Sequence, residues 1–399
     1  MSVSKPSSWL ILLLGVACGA IVANLYYAQP LVGPIAASLG LAPDAAGVIV
    51  TLTQVGYGLG LLLIVPLADL MENRRLIVAV VALSAVALAG AALSGGAAAF
   101  LAASLTIGLC SVSAQVLVPF AAHLAPEEMR GRVVGNVMSG LLLGIMLARP
   151  FASFLADLTS WHVVFAVSAV LMAGLATLLR FALPLRRPDA KLSYATLLTS
   201  MAYLVVATPA LRRRGFYQAC LFGAFSLFWT AAPLYLAGPR FGLSQSGIAL
   251  FALAGVAGAI AAPLAGRVAD RGYIRSGSAV SMVLAAVAFP LSLIVDDGSD
   301  LALGLLVSAA ILLDFGVSGN LVLGQRVIFG LQPELRSRLN GLFIAAFFVG
   351  GAIGSALGGW VYVHAGWAGT VWCGFAMPVA ALIALLIPAE PSYNKDGPT

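Results

Sequence analysis

The sequence predicts an all-α polytopic membrane protein of twelve spans, and three observations carry that prediction. Of its 399 residues, 61% are hydrophobic and only 9% charged, whereas a soluble domain carries about 25% charged residues. Apolar stretches long enough to cross about 30 Å of hydrocarbon as helices recur from end to end. The basic residues gather in alternate loops, the asymmetry that orients membrane helices. Alternating segments of about 10 residues, the mark of a membrane β-barrel, are not found in the sequence.

The first span is expected over 9–37, where the apolar "WLILLLGVACGAIVA" runs into the polar, aromatic "NLYYAQPLV". Five more follow over 45–68, 75–95, 97–122, 132–156 and 161–184. The second six are expected over 214–237, 245–267, 275–294, 300–328, 339–363 and 367–388. The stretch "YATLLTSMAYLVVATPA" over 194–210 is short and carries Ser, Thr and Pro. Arg186, Arg187 and Lys191 bracket it on one side, and Arg212, Arg213 and Arg214 on the other, so it reads as an interfacial helix. With a cytoplasmic N-terminus, only Arg240 of the 21 Lys and Arg falls outside and only Arg149 falls mid-span. Asp44, Asp157, Asp296, Asp297 and Asp300 occupy the outer loops. A thirteenth span at 194–210 would invert the second half and destroy this asymmetry. The expected setting is a bacterial inner (plasma) membrane, crossed many times, with both termini cytoplasmic.

The same composition excludes several classes. The net charge of +6 is topological rather than a nucleic-acid footprint. Lys5 and "LGVACG" around Cys18 resemble a lipoprotein signal, but Gly15 stands where Leu is expected and the apolar run continues, so the segment reads as a span. Cys18, Cys110, Cys220 and Cys373 fall inside spans without paired spacing, and His123, His162 and His364 are scattered. No lysine follows a glycine in a phosphate-binding loop, and no zinc-protease or nucleophile-elbow motif occurs. Neither enzyme chemistry nor a metal or cofactor is expected.

Internal repetition organises the rest. "RGRVVGNVMSGLLLG" echoes "RSRLNGLFIAAFFVG", matching Arg130, Arg132, Gly135 and Gly144 to Arg336, Arg338, Gly341 and Gly350, with Pro126 and Pro333 ahead of each. "PLADLMENRR" and "GRVADRG" place Asp69 and Asp270 in equivalent loops. The expected organisation is a first six-helix half over 1–184, a linker with an interfacial helix over 185–213 and a second half over 214–399.

These loops, with "APEEMRGRVVG", "PELRSRLNG" and "NLYYAQPL", resemble the major facilitator superfamily along the whole chain. They are most similar to its twelve-span bacterial efflux permeases for drugs and sugars, which are proton antiporters. The resemblance implies twelve helices in two pseudo-symmetric halves and transport by alternating access. It also implies a cytoplasmic gate of Asp69, Arg74, Arg75, Arg130, Arg132, Asp270, Arg271, Arg336 and Arg338, which bridges the halves when the protein opens outward. The pattern departs at Leu70 and Ser104, where the family carries basic residues, and at Arg149–Pro150, where its antiporters carry Gly-Pro.

Polar residues inside the apolar spans mark the candidate site. Residues 24–29 fall near the bilayer midplane, the depth of substrate sites between halves. Aligning Pro30 with Pro233 sets Tyr26 on Trp229 and Leu25 on Phe228. Tyr26, Tyr27, Gln29, Gln54, Gln115, Phe228 and Trp229 are therefore candidate substrate-binding residues, aromatic walls with hydrogen-bonding tips. Arg149 and Asp314 are the two charges well inside the apolar zone, each costing about 2.5–3.5 kcal/mol on insertion scales. Desolvation favours a neutral Asp314 and a neighbouring Arg149 favours an ionised one, so the two can form a proton switch or, equally, a static ion pair. Small-residue spacings at Gly56/Gly60, Gly140/Gly144 and Gly350/Gly354/Gly358 suggest close packing between the halves. The function expected is proton-coupled export of a small amphipathic organic compound by a monomer in a lipid bilayer. The alternative is an importer or facilitator of an organic anion or sugar, with Arg149 holding a carboxylate.

Overall fold

The computed structural model describes residues 7–126, 129–188, 193–332 and 335–387, except the side chains of residues 257 and 259. Lys5, Lys191, Pro333 and the acidic Glu127, Glu128 and Glu334 of the repeat motifs lie outside the described residues. Among the described residues, ten helices are long and apolar enough to cross a membrane: Pro43–Asp69, Asn73–Ala92, Ala97–Leu124, Arg130–Leu158, Trp161–Ala182, Pro209–Ala237, Gln245–Asp270, Ile274–Leu291, Asp300–Phe329 and Arg336–Leu386. The last is two spans folded at Gly366, whose φ of 63° is left-handed and costs glycine nothing. The first span precedes these ten and is broken. Helix Ser8–Ala23 ends in a turn, a 3-10 stretch follows at Gln29–Leu31, and Val32–Ser38 completes the crossing. Twelve spans result, in two six-span halves joined by a segment containing helix Tyr194–Ala207.

Local chemistry fixes the ends. Glu72 accepts hydrogen bonds from the backbone N–H groups of Arg74 (2.9 Å) and Arg75 (3.0 Å), satisfying donors that open span three. Ser244 and Ser299 cap spans eight and ten through Gly247 N–H and Ala302 N–H. Span seven starts at Pro209 rather than at 214, because a proline suits a first helical turn. Arg212 then turns back from that helix to the Val205 and Val206 carbonyls that end the linker helix.

Glycine seams hold each half together, which corrects the expectation that they lie between halves. A Cβ on Gly140 or Gly144 would strike the backbone of Gly15 or Gly19, so spans one and five touch main chain to main chain. Gly56 meets Leu105 and Leu109 of span four, and Gly350 and Gly354 meet Ala219 and Gly223 of span seven. Phe154, Val170, Phe181 and Trp372 stand exposed on the outside, as a lipid-facing surface requires.

The two faces of the bundle differ. On the face rich in acidic loops, spans two and eleven press together: the Thr51 and Ser355 hydroxyls lie 2.9 Å apart and Gly47 sits against the Ser355 carbonyl. Ser246 of span eight donates to Asp157 of span five on the same face. On the opposite, basic face a groove of about 750 Å³ opens between spans one and five, lined by Leu12, Val16, Arg132, Asn136, Ser139 and Leu143 among others. The halves are sealed to one another on the acidic face, whereas the groove lies within the first half, its lining drawn from spans one and five alone.

Candidate functional site

The break in span one explains its polar stretch. Asn24 sits where the helix stops, donating to the Ala20 and Ile21 carbonyls (3.2 and 3.1 Å) and accepting from Ser168 Oγ at 2.5 Å. With the helix ended there, Tyr26 and Gln29 turn toward Arg149 of span five. Arg149 is 3% exposed. Its Nε donates to Gln29 Oε1 at 2.8 Å, and its guanidinium carbon lies 4.3 Å from the Trp229 ring centre, 4.9 Å from Phe225 and 5.3 Å from Tyr26. Three aromatic faces therefore stand in for water around the cation.

Asp314 of span ten, 4% exposed, approaches from the second half. Its Oδ1 accepts from Trp229 Nε1 at 2.8 Å. Trp229 thus offers its face to the base and its edge to the acid. Arg149 and Asp314 do not pair within 4.0 Å. Gly255 stands between them: a Cβ there would be 2.9 Å from both Arg149 Nη1 and Asp314 Oδ2. It belongs to a 3-10 stretch, Leu253–Val256, that interrupts span eight. Arg149 Nη2, Gln29 Nε2, Ser153 Oγ and Thr230 Oγ1 are buried and meet no hydrogen-bond partner among the described residues.

The other expected site residues separate into two groups. Gln54 Nε2 donates to Ser226 Oγ at 3.0 Å, joining spans two and seven across the halves. Gln115 donates to Tyr57 Oη at 3.1 Å, and the Tyr57 ring lies 4.2 Å from Phe348 of span eleven. Tyr27 instead packs on Phe151 inside the first half, and Phe228 lies among Phe251, Phe289 and Trp367 inside the second. The structure does not bring these two into the cluster around Arg149. Gly255 and Phe225 do belong to it; neither residue type is conspicuous in an apolar run.

The profile of the Major Facilitator Superfamily matches residues 11–311 and 218–398. The chain belongs to the major facilitator superfamily. It is 40% identical over 378 residues to an uncharacterized transporter, YgaY, of Escherichia coli O157:H7, covering 95% of this chain and 94% of that protein. A probable transporter of Streptomyces coelicolor is 34% identical over 88% of this chain and 81% of its own length. Among solved structures, the nucleoside transporter NupG superposes with a TM-score of 0.74 at 17% identity, covering 94% of this chain and 98% of that one. A D-xylose–proton symporter gives 0.72 at 16%, covering 95% and 96%. At that identity the structures show the fold alone. The protein is a membrane transporter and not an enzyme.

In this facilitator the residues expected to form a cytoplasmic gate, where they find partners, find them within their own half or on the linker. Arg326 holds Asp270 at 2.9 Å, and Arg336 Nε donates to the Phe329 carbonyl at 2.8 Å, both in the second half. Arg74 donates to the Leu183 carbonyl at 3.2 Å and Arg338 to Ser200 Oγ of the linker helix at 3.3 Å. Arg75 lies 3.9 Å from Glu72. Burial lowers the Arg186 guanidinium from its ordinary value and the charge of Asp69 opposes that. Arg130, Arg132 and Arg271 form no ion pair with a described residue.

Proposed function

We propose that this protein is a proton-coupled secondary transporter of a bacterial inner membrane that exports a small amphipathic organic compound by alternating access, its termini cytoplasmic. The observation that carries the reading is the approach of Arg149 and Asp314, from opposite halves, to either side of Gly255 without pairing. A static ion pair would close to hydrogen-bond distance to offset the desolvation of both charges. A pair held just apart can gain or lose a proton at Asp314 as the halves move. With the basic face cytoplasmic, the contacts that seal the acidic face make this a state closed to the outside, and substrate reaches the cluster from the cytoplasmic side. Proton entry gains about 2.3 kcal/mol per 100 mV, enough to drive useful accumulation outside. The efflux-like motifs supply the direction.

A second reading, transport of an organic anion, is favoured by the unpartnered Arg149 Nη2 and Gln29 Nε2. The three aromatic faces already hold a guanidinium, so a cationic substrate finds them occupied. The two readings differ in the sign of linkage. An anion bound at Arg149 favours a protonated Asp314, so substrate and proton travel together; exchange requires that they exclude one another.

The deciding experiment uses energised inverted vesicles, a pH-sensitive dye and a panel of cationic, neutral and anionic compounds. Exchange predicts that an added compound discharges the gradient with the wild type and not with Asp314→Asn at matched protein level. Proton uptake on ligand binding, measured with purified protein in weak buffer, would establish the anion reading instead. A gradient discharged equally by Asp314→Asn would remove Asp314 from coupling.

A further inference from the structure

Helix Tyr194–Ala207 does more than connect the halves. Leu197, Met201 and Leu204 recur at helical spacing and are buried, while Tyr203 and Val206 on the other side are exposed. The buried face fills the space between the basic-face ends of spans two and eleven. Tyr194 Oη donates to the Leu63 carbonyl of span two at 2.8 Å, and Arg338 of span eleven donates to Ser200 Oγ at 3.3 Å. The residual cavity among them is only about 20 Å³, and both Leu197 and Met201 line it beside Leu61, Asp69, Arg338 and Gly341. That is room for about one water molecule, which needs about 10–15 Å³. The gap is occupied by the helix.

The same two spans touch directly at the acidic face, through Thr51, Ser355, Gly47 and Gly359. Spans two and eleven therefore diverge from a sealed end toward an end propped by the linker helix. To seal the basic face they must converge where Leu197 and Met201 now stand. We infer that the linker helix is a removable wedge: seated between spans two and eleven it holds their basic-face ends apart, and it must leave for that face to close. The inference rests on alternating access but not on protons, substrate or direction. Asp69 and Arg338 lie one on each side of the wedge, so the helix also keeps these two gate residues, from opposite halves, from meeting.

The wedge is tested in a background with the four native cysteines replaced, using a single Leu142→Cys as reporter of basic-face access, since Leu142 is exposed two turns from Arg149 on the same helix face. Leu197→Asp and Met201→Asp place a charge on the buried face and should unseat the helix. Labelling of Cys at position 142 by a bulky maleimide should then fall about fivefold or more, the lower range of conformational coupling. In a second arm, cysteines replacing Met201 and Gly341 are joined by a short bis-maleimide, which should hold the face open and abolish turnover. Unchanged labelling in both aspartate variants, with the bis-maleimide failing to join Cys at positions 201 and 341 once Leu197→Asp is added, would overturn the proposal. So would full turnover by the cross-linked protein, an arm that stands even if the aspartate variants do not fold.

Discussion

A methyl group on Gly255 would stand 2.9 Å from the Arg149 guanidinium and equally close to the Asp314 carboxylate, inside normal non-bonded separation for either. Gly255→Ala is therefore expected to force acid and base apart and cut transport at least tenfold, or about 1.4 kcal/mol at the barrier. Gly90→Ala, where a Cβ meets nothing within 4 Å, should leave the rate unchanged. Initial rates in vesicles at equal protein level check both, and an unimpaired Gly255→Ala would mean that the pair need not approach. Arg149, Asp314, Gln29 and Trp229 were legible in the sequence because charges, amides and large polar aromatics are costly or rare at that depth. Tyr27 and Phe228 were less so. Successive residues on a helix point about 100° apart, and neither the rotation of span seven nor the break in span one can be read from hydropathy. Gly255 and Phe225 carry no signal of their own in a chain containing 43 Gly and 19 Phe.

Among the elements, spans one and five depend on bare backbone at their crossing, where a Cβ on Gly144 would come within 2.5 Å of the Cα and carbonyl carbon of Gly19. Overpacking of this kind costs about 1–3 kcal/mol. Gly144→Ala should lower the unfolding midpoint in detergent, whereas Gly174→Ala, with open space around its Cβ, should hold or raise it. Equal midpoints would show that the seam is slack enough to absorb a methyl. Span ends were readable to within a few residues because hydropathy and capping residues set them. The glycine seams were visible as spacing but not as partners, since the same spacing serves contacts within a half or between halves. The interruption at Leu253–Val256 contains no proline, and nothing local announces it. Pro30 did hint at the break in span one, whose turn Asn24 and Ser168 fix by a contact 144 residues apart in the chain.

For the molecule as a whole, the duplicated loops foretold two six-span halves, but no sequence pattern foretells which face is sealed. One chain must support both states with a small free-energy gap, and the choice between them lies in contacts made twice over by different residues. The seal seen here is compact: Thr51 and Ser355 hydroxyls 2.9 Å apart, backed by Gly47 against Gly359. If the halves rock, this contact must part once in every cycle. Thr51→Cys with Ser355→Cys should place two sulfurs close enough to join, since a disulfide needs Cβ atoms only about 3.8 Å apart. Cys18 and Cys110 are buried, and replacing them together with Cys220 and Cys373 removes competing thiols. Oxidation should then stop transport by at least tenfold and reduction restore it, while a Leu142→Cys reporter on the Arg149 face of span five stays accessible throughout. Transport that continues with the disulfide confirmed by mass would mean that substrate crosses without opening between spans two and eleven. Loss of reporter access on oxidation would instead mean that the two faces do not open in alternation, because sealing the acidic end should leave the basic end free.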